Sequence, residues 1–302
     1  MEHLYVIGNG FDLHHEIPSR YIDFHKWLEK NMPKLFSQVI EFFPQSHLDE
    51  WWSVFEKNLA SIDAYGIVYN KTIENIPDVA SDNFSDSEWY DAENAVERQI
   101  DDIYSAIEIA FRKWVNTLPE GNSQKKISMI LGSHFLSFNY TDTLESLYGI
   151  NSDNILYIHG KAKETSKKLI LGHGTTKKEL NDLIRIDAIE DDSTLDFITS
   201  RAKETAITSI ANKRKNVEHN IEENKKWFDS LSNITHIHIY GFSLSDIDMP
   251  YMSQILNSVN REIVTIELSF KEAKDKDRIS YFINKFNILK YKLIELSDLQ
   301  SF

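Results

Sequence analysis

Apolar residues fall into two regimes along the chain. Near-continuous apolar runs that end at Gly or a small polar residue read as buried parallel strands. They are "HLYVIG" at the start, then "ISMILG" with "FLSFNY", "NILYIHG", "KLILGHG", "HIHIYGFS" and "EIVTIELS". From Tyr21 to Leu118 the spacing changes to three and four, the signature of amphipathic helices, with a break expected at Pro33. The clearest helix is expected from about Ser87 to Leu118, with Trp89, Val96, Ile100, Ile103, Ile107, Phe111, Trp114 and Leu118 on one stripe. Ser85 and Glu88 fit a capping box at its start, and Pro119 and Gly121 stop it.

A charged, weakly apolar stretch from about Thr175 to Ser232 reads as two or three surface helices between strands of one sheet. The pattern predicts an α/β fold: one doubly wound, mostly parallel, Rossmann-like sheet with a helical insertion (21–118) after the first strand and a second helical segment (175–232). No repeat or low-complexity linker divides the 302 residues, so a single nucleotide-binding domain over 1–302 is expected.

Composition narrows the partners. Asp and Glu total 47 against 33 Lys and Arg, a net charge of -14, which argues against general binding to nucleic acid or anionic membrane. No apolar run approaches a membrane span and no secretory leader is apparent, so a cytoplasmic protein is expected. The absence of cysteine excludes disulfides, thiolate nucleophiles and Cys-ligated zinc.

In open α/β sheets, ligands bind beyond the carboxyl ends of the strands. Polar residues stand at several such ends: Asn9 and Asp12, Asn139 and Asp142, His159, His173 and Ser243. Gly8 and Gly10 supply two glycines of G-x-G-x-x-G, but Leu13 takes the third position and no ribose-binding acid on a second strand follows. An NAD-dependent dehydrogenase is therefore disfavoured, and a plain strand-to-helix turn stays open. His159 suits a general base or a strand-end hydrogen bond. Asn139 suits a ribose or water contact, or a left-handed turn. His236 and His238 share a sheet face with Tyr240, as covered histidines or a metal pair; no H-E-x-x-H set supports a metal, and none is predicted. Glu56, four residues after Trp52, is a solvated charge or a support for the site.

Taken together, "YVIGNGFDLHHEIPSRYIDF", "WWSVFEKNL", "SFNYTDTLE", "YIHG", "ILGHG" and "GFSLSDIDMPY" resemble, in this order, the signature segments of the AbiH-like abortive infection family of bacteria, over residues 4 to about 256. That resemblance implies defence against bacteriophages, with a phage-derived trigger, a defence-system partner or a homo-oligomer as expected partners. The same loops are similar to a remote sirtuin-type NAD-binding fold. By that resemblance Gly8 and Gly10 approach the phosphates, and Asn9, Phe11, Gly160, His173, Gly241 and Ser243 complete the nucleotide site. Asn139 sits at the nicotinamide ribose, His159 is the base, and Asp12 or Asp142 supplies a carboxylate. The four zinc cysteines of sirtuins are absent, so deacetylation is not expected; hydrolysis of NAD is. A non-catalytic nucleotide sensor is the alternative.

Overall fold

The computed structural model describes residues 2–119, 125–184 and 193–299, the side chains of 193, 194 and 274 excepted. The chain divides into two compact units. The first comprises 1–23, 112–170 and 216–302, and the second 24–111 and 171–215.

Among the described residues, the first unit holds one sheet of six parallel strands: β1 (Glu2–Ile7), β2 (His134–Ser137), β3 (Ile155–Tyr157), β4 (Ile234–Tyr240), β5 (Thr265–Phe270) and β6 (Tyr291–Glu295). Their order is β3-β2-β1-β4-β5-β6, the doubly wound arrangement whose connections reverse between β1 and β4. One face buries Leu4, Val6, Leu136, Ile237, Ile239, Ile266 and Leu268 with apolar residues of the helices Val217–Glu223, Met249–Ser258 and Ala273–Phe286. The other buries Tyr5, Ile7 and Phe135 with Phe11 and Leu144 from the short helices Asn9–His14 and Thr143–Ser146. The expected α/β class, with helices on both sides of a Rossmann-like sheet, is what forms. Between β1 and β2 the described secondary structure is helical.

Several elements differ from expectation. "ISMILG" is no strand: Ile130 and Leu131 are about half exposed, and the N–H groups of Ile127 and Ile130 donate to the hydroxyls of Tyr148 (3.1 Å) and Tyr5 (3.2 Å) in place of a strand neighbour. "KLILGHG" makes no strand either; one isolated bridge joins His173 to Arg214. The 175–232 stretch contains four helices among the described residues: Lys177–Leu183, Ser193–Ala211, Val217–Glu223 and Lys225–Asp229. They are not merely superficial, because Leu180, Ala202, Ala206, Ile210, Val217 and Phe228 are buried. β6 was not expected at all.

The long helix spans Asp91–Val115, and Val96, Ile100, Ile103, Ile107, Phe111 and Trp114 are buried as the stripe predicts. The Ser85/Glu88 box forms, on the single turn of 3-10 helix (Asp86–Tyr90) that leads into it. Pro33 opens a new helix, Pro33–Phe42, after Tyr21–Asn31 ends. Gly121 lies outside the described residues.

The second unit is helical with an aromatic centre. Phe24 packs edge-on against Trp52, Phe55 and Phe111, and Trp52 stacks on Phe55 at 5.3 Å. Glu56 is settled here: its carboxylate meets the buried ammonium of Lys215 at 2.6 Å, so it is a structural ion-pair partner and not a solvated charge.

Candidate functional site

The polar residues at the strand ends of the first unit form two adjoining groups, both carried by the segment 138–143 that follows β2. The backbone brings them there because β1, β2 and β3 are neighbours in register.

The turn after β1 sets the first group. The Gly8 N–H donates to Tyr240 O at 3.1 Å and the Gly10 N–H to Gly241 O at 2.8 Å. Gly241 itself has φ 63°, and a Cβ on it would lie 2.1 Å from Phe11 N. A Cβ on Gly8 or Gly10 would meet the 241–242 backbone at 2.6 and 2.7 Å. All three glycines are thus required by close approach of two chain segments at the β1/β4 switch point. The Phe11 N–H is directed to Gly8 O at 2.9 Å, and its ring is fully buried in the core. Asn9 ties this turn to Ser19: its Nδ2 donates to Ser19 O (3.0 Å) and its Oδ1 accepts from Ser19 Oγ (2.6 Å).

Asn139 Nδ2 donates to Gly8 O at 3.1 Å, which fastens the β2 segment to the β1 turn. Asp12 is completely buried; its Oδ2 accepts from Thr141 Oγ1 at 2.6 Å, and Thr143 Oγ1 donates to Thr141 Oγ1 at 3.2 Å. The second carboxyl oxygen of Asp12 and the Oδ1 of Asn139 are both buried without a hydrogen-bond partner. Burial pushes the Asp12 carboxyl up to about 6; the hydrogen bond from Thr141 and the polar Thr143 and Asn139 side chains beside it oppose that rise, and the Asp142 charge adds to it. Asp142 pairs with Lys163 at 2.8 Å. Thr141, Asp142 and Thr143 form one wall of an open cleft of ≈ 90 Å³, whose other walls include Ile17, Leu118 and Pro119.

The second group centres on His159, which is 3 % exposed at the end of β3. Its Nε2 lies 3.6 Å from Asp248 Oδ1, and Asp248 is oriented by Ser245 Oγ, which donates to its Oδ2 at 2.7 Å. Phe138 and Tyr251 stand edge-on to the imidazole at 5.4 and 5.9 Å, and Tyr140 is tilted against it at 6.1 Å. Asn220 Nδ2 donates both to Ile158 O (2.7 Å) and to the Tyr251 hydroxyl (2.9 Å), fixing that wall. Gly160 follows at φ 85°.

Of the residues expected to converge, Gly8, Asn9, Gly10, Asp12, Asn139 and Gly241 are linked directly or through one neighbour. His159 joins them through the 138–143 segment. Asp142 faces the cleft. Ser243 is exposed on the loop after β4. His173 belongs to the second unit, where its Nε2 lies 2.9 Å from Ile210 O and its Nδ1 accepts from Thr175 N at 3.1 Å. Among the described residues no group of three metal-ligating side chains forms around His236 and His238. Instead His3 stacks on both, and His238, Tyr240 and Lys292 surround Glu267, whose carboxyl the His238 hydrogen bond draws down to about 2.

Sequence reasoning missed the roles of Thr141, Asn220, Asp248 and Tyr251. Asp248 carried a readable signal, an acid at the start of a helix with Pro250 in its first turn. Asn220 carried none, since its partners are 31 and 62 residues away. No described helix is long and apolar enough to cross a membrane.

A family model described as Bacteriophage abortive infection AbiH matches residues 4–270, most of the chain. No curated protein and no solved structure matches. The chain belongs to the bacteriophage abortive infection AbiH family.

Proposed function

We propose that this AbiH family member is an effector of abortive infection that binds NAD or a related nucleotide and hydrolyses its nicotinamide–ribose bond. The observation that carries the reading is the pair of buried, incompletely satisfied acceptor oxygens of Asp12 and Asn139 at the carboxyl ends of β1 and β2. Such groups are costly unless a ligand, water or proton completes them, and they mark functional sites. The free oxygens of Asp12 and Asn139 can accept hydrogen bonds from ribose hydroxyls or from an attacking water.

In this reading His159, backed by Asp248, takes the proton from water as it adds to the ribose C1′, while the bond electrons leave with nicotinamide. Asn139 holds the ribose, and Asp12 or Asp142 stabilises the oxocarbenium-like centre electrostatically. Gly8, Gly10, Phe11, Gly160, Gly241 and Ser243 border the nucleotide, and such a protein works in the cytoplasm.

The test is release of nicotinamide and ADP-ribose from NAD by the purified protein and by Asn139→Ala and His159→Ala. Both variants should lose cleavage while keeping their fold. Absence of cleavage by the folded protein, alone and in phage-infected cells, would falsify the reading.

A second reading, a nucleotide sensor acting through a partner, has one observation of its own. On the helix Ala64–Glu74 of the second unit, Tyr65, Tyr69 and Ile73 repeat every four residues and are 54, 41 and 43 % exposed, an apolar stripe suited to protein contact. It predicts nucleotide binding without turnover, and toxicity indifferent to His159→Ala.

A further inference from the structure

We propose that the cleft beside Thr141 and Thr143 is a binding site for a neutral, hydroxyl-bearing sugar ring, read through a hydrogen-bond relay that ends on Asp12. The direction of the hydrogen bonds in the first unit carries this, independently of NAD hydrolysis.

A carboxylate can only accept. Thr141 must therefore give its single hydroxyl proton to Asp12 Oδ2, 2.6 Å away, which leaves the Thr141 oxygen to accept. Thr143 then gives its proton to Thr141 at 3.2 Å. With both protons committed inward, the Thr143 oxygen presents lone pairs to the cleft. Asp142, beside it on the same wall, is also an acceptor. Two neighbouring acceptors select a ligand that brings donors, and adjacent ring hydroxyls do so. Ile17, Leu118 and Pro119 provide the apolar surface on which the carbon face of a sugar ring rests. Lys163, the cation among the described wall residues, is 2.8 Å from Asp142, so the pair offers an incoming anion no net positive charge.

The relay also reverses. When Asp12 holds a proton on Oδ2 it becomes a donor to Thr141, both threonine hydroxyls turn, and Thr143 points a donor into the cleft. Sugar binding then weakens. The carboxyl sits at about 6, so the change falls between neutral and mildly acidic solution. The charged and titratable groups around Asp12 are Asp142, paired with Lys163, and the Tyr157 hydroxyl; Asn139 and the two threonines are its neutral neighbours.

The experiment uses the full chain labelled at threonine methyl groups and titrated with methyl ribofuranoside, adenosine and inorganic phosphate. At neutral pH both sugar probes should shift the Thr141 and Thr143 methyl signals, and affinity should fall several-fold in mildly acidic buffer. Thr143→Val should weaken binding about tenfold, the loss of one hydrogen bond, and Thr143→Ser should restore it. Asp12→Asn should abolish the pH dependence. Unmoved methyl signals with either sugar, a phosphate response at the same methyls without a sugar response, or a wild-type affinity that is flat with pH would each overturn the proposal. Cleavage of NAD plays no part in these readouts, so they stand whatever that assay shows.

Discussion

Replacing Asp12 by Asn tests whether the site carries a carboxylate against its own preference. In the unfolded chain the carboxyl titrates near 3.8, and in the folded protein near 6 because burial disfavours the charge. Between those values the native state keeps a proton that the unfolded chain has released. The unfolded state therefore binds fewer protons, and stability falls as pH rises through the window. At about 1.4 kcal/mol per pH unit, the contribution present below pH 3.8 and lost above pH 6 is about 3 kcal/mol. That is a sizeable share of the ~5–15 kcal/mol that holds a domain folded. Asn has no such titration. Its amide Oδ1 can still accept from Thr141, while its Nδ2 adds a constant term that does not vary with pH. The assay is urea unfolding of both proteins in matched buffers, read as the difference in stability at each pH, so that other titrating groups cancel. The variant should gain about 3 kcal/mol on the wild type between a pH below 3.8 and neutral pH. A difference that stays flat across that range would refute the assignment of Asp12 as a carboxyl held charged only at a cost.

Gly241→Ala should destabilise by about 2–4 kcal/mol, from the positive φ and the overlap with Phe11 N and Gly10 C together, seen as a lower urea midpoint. Glu56→Ala should cost about 3–5 kcal/mol because it strands the buried Lys215 ammonium, whereas changing the pair together to Leu and Met should be nearly neutral; thermal melts separate the two. His15, with burial as the main cause, is pushed down to about 4 from 6.5, so the native state refuses a proton the unfolded chain accepts. Its contribution is present above pH 6.5 and is lost as pH falls toward 4, the opposite slope to Asp12; His15→Gln should flatten that acid limb of the unfolding profile.

The strands that build the sheet centre were legible because both faces are covered. β1 and β4 read as apolar runs for that reason, and the topology that joins them follows from parallel strands with helical connections. β6 was not legible: its residues are mostly exposed, at the sheet edge, and "YKLIE" carries little of a buried strand's signature. "ISMILG" failed in the opposite sense, since tyrosine hydroxyls hold an apolar segment without a neighbouring strand. At the site, residues placed by local turns were readable. Gly8, Asn139 and His159 stand where strands end. Asp248 and Asn220 reach the site only through the fold, across 89 and 61 positions from His159, and no local pattern encodes that. The glycine turn was legible as a turn, but its cause is the approach of Gly241, which a sequence window around Gly8 does not contain.

The most direct measurement of the central claim is NAD turnover by purified protein, wild type beside His159→Ala and Asp248→Asn, with NAD followed in parallel in phage-infected cells. The account predicts release of nicotinamide by the wild type, loss with His159→Ala, and a rate lowered but not abolished with Asp248→Asn, all three being folded. Intact NAD with the folded wild-type protein in both settings, or cleavage unchanged by His159→Ala, would contradict it.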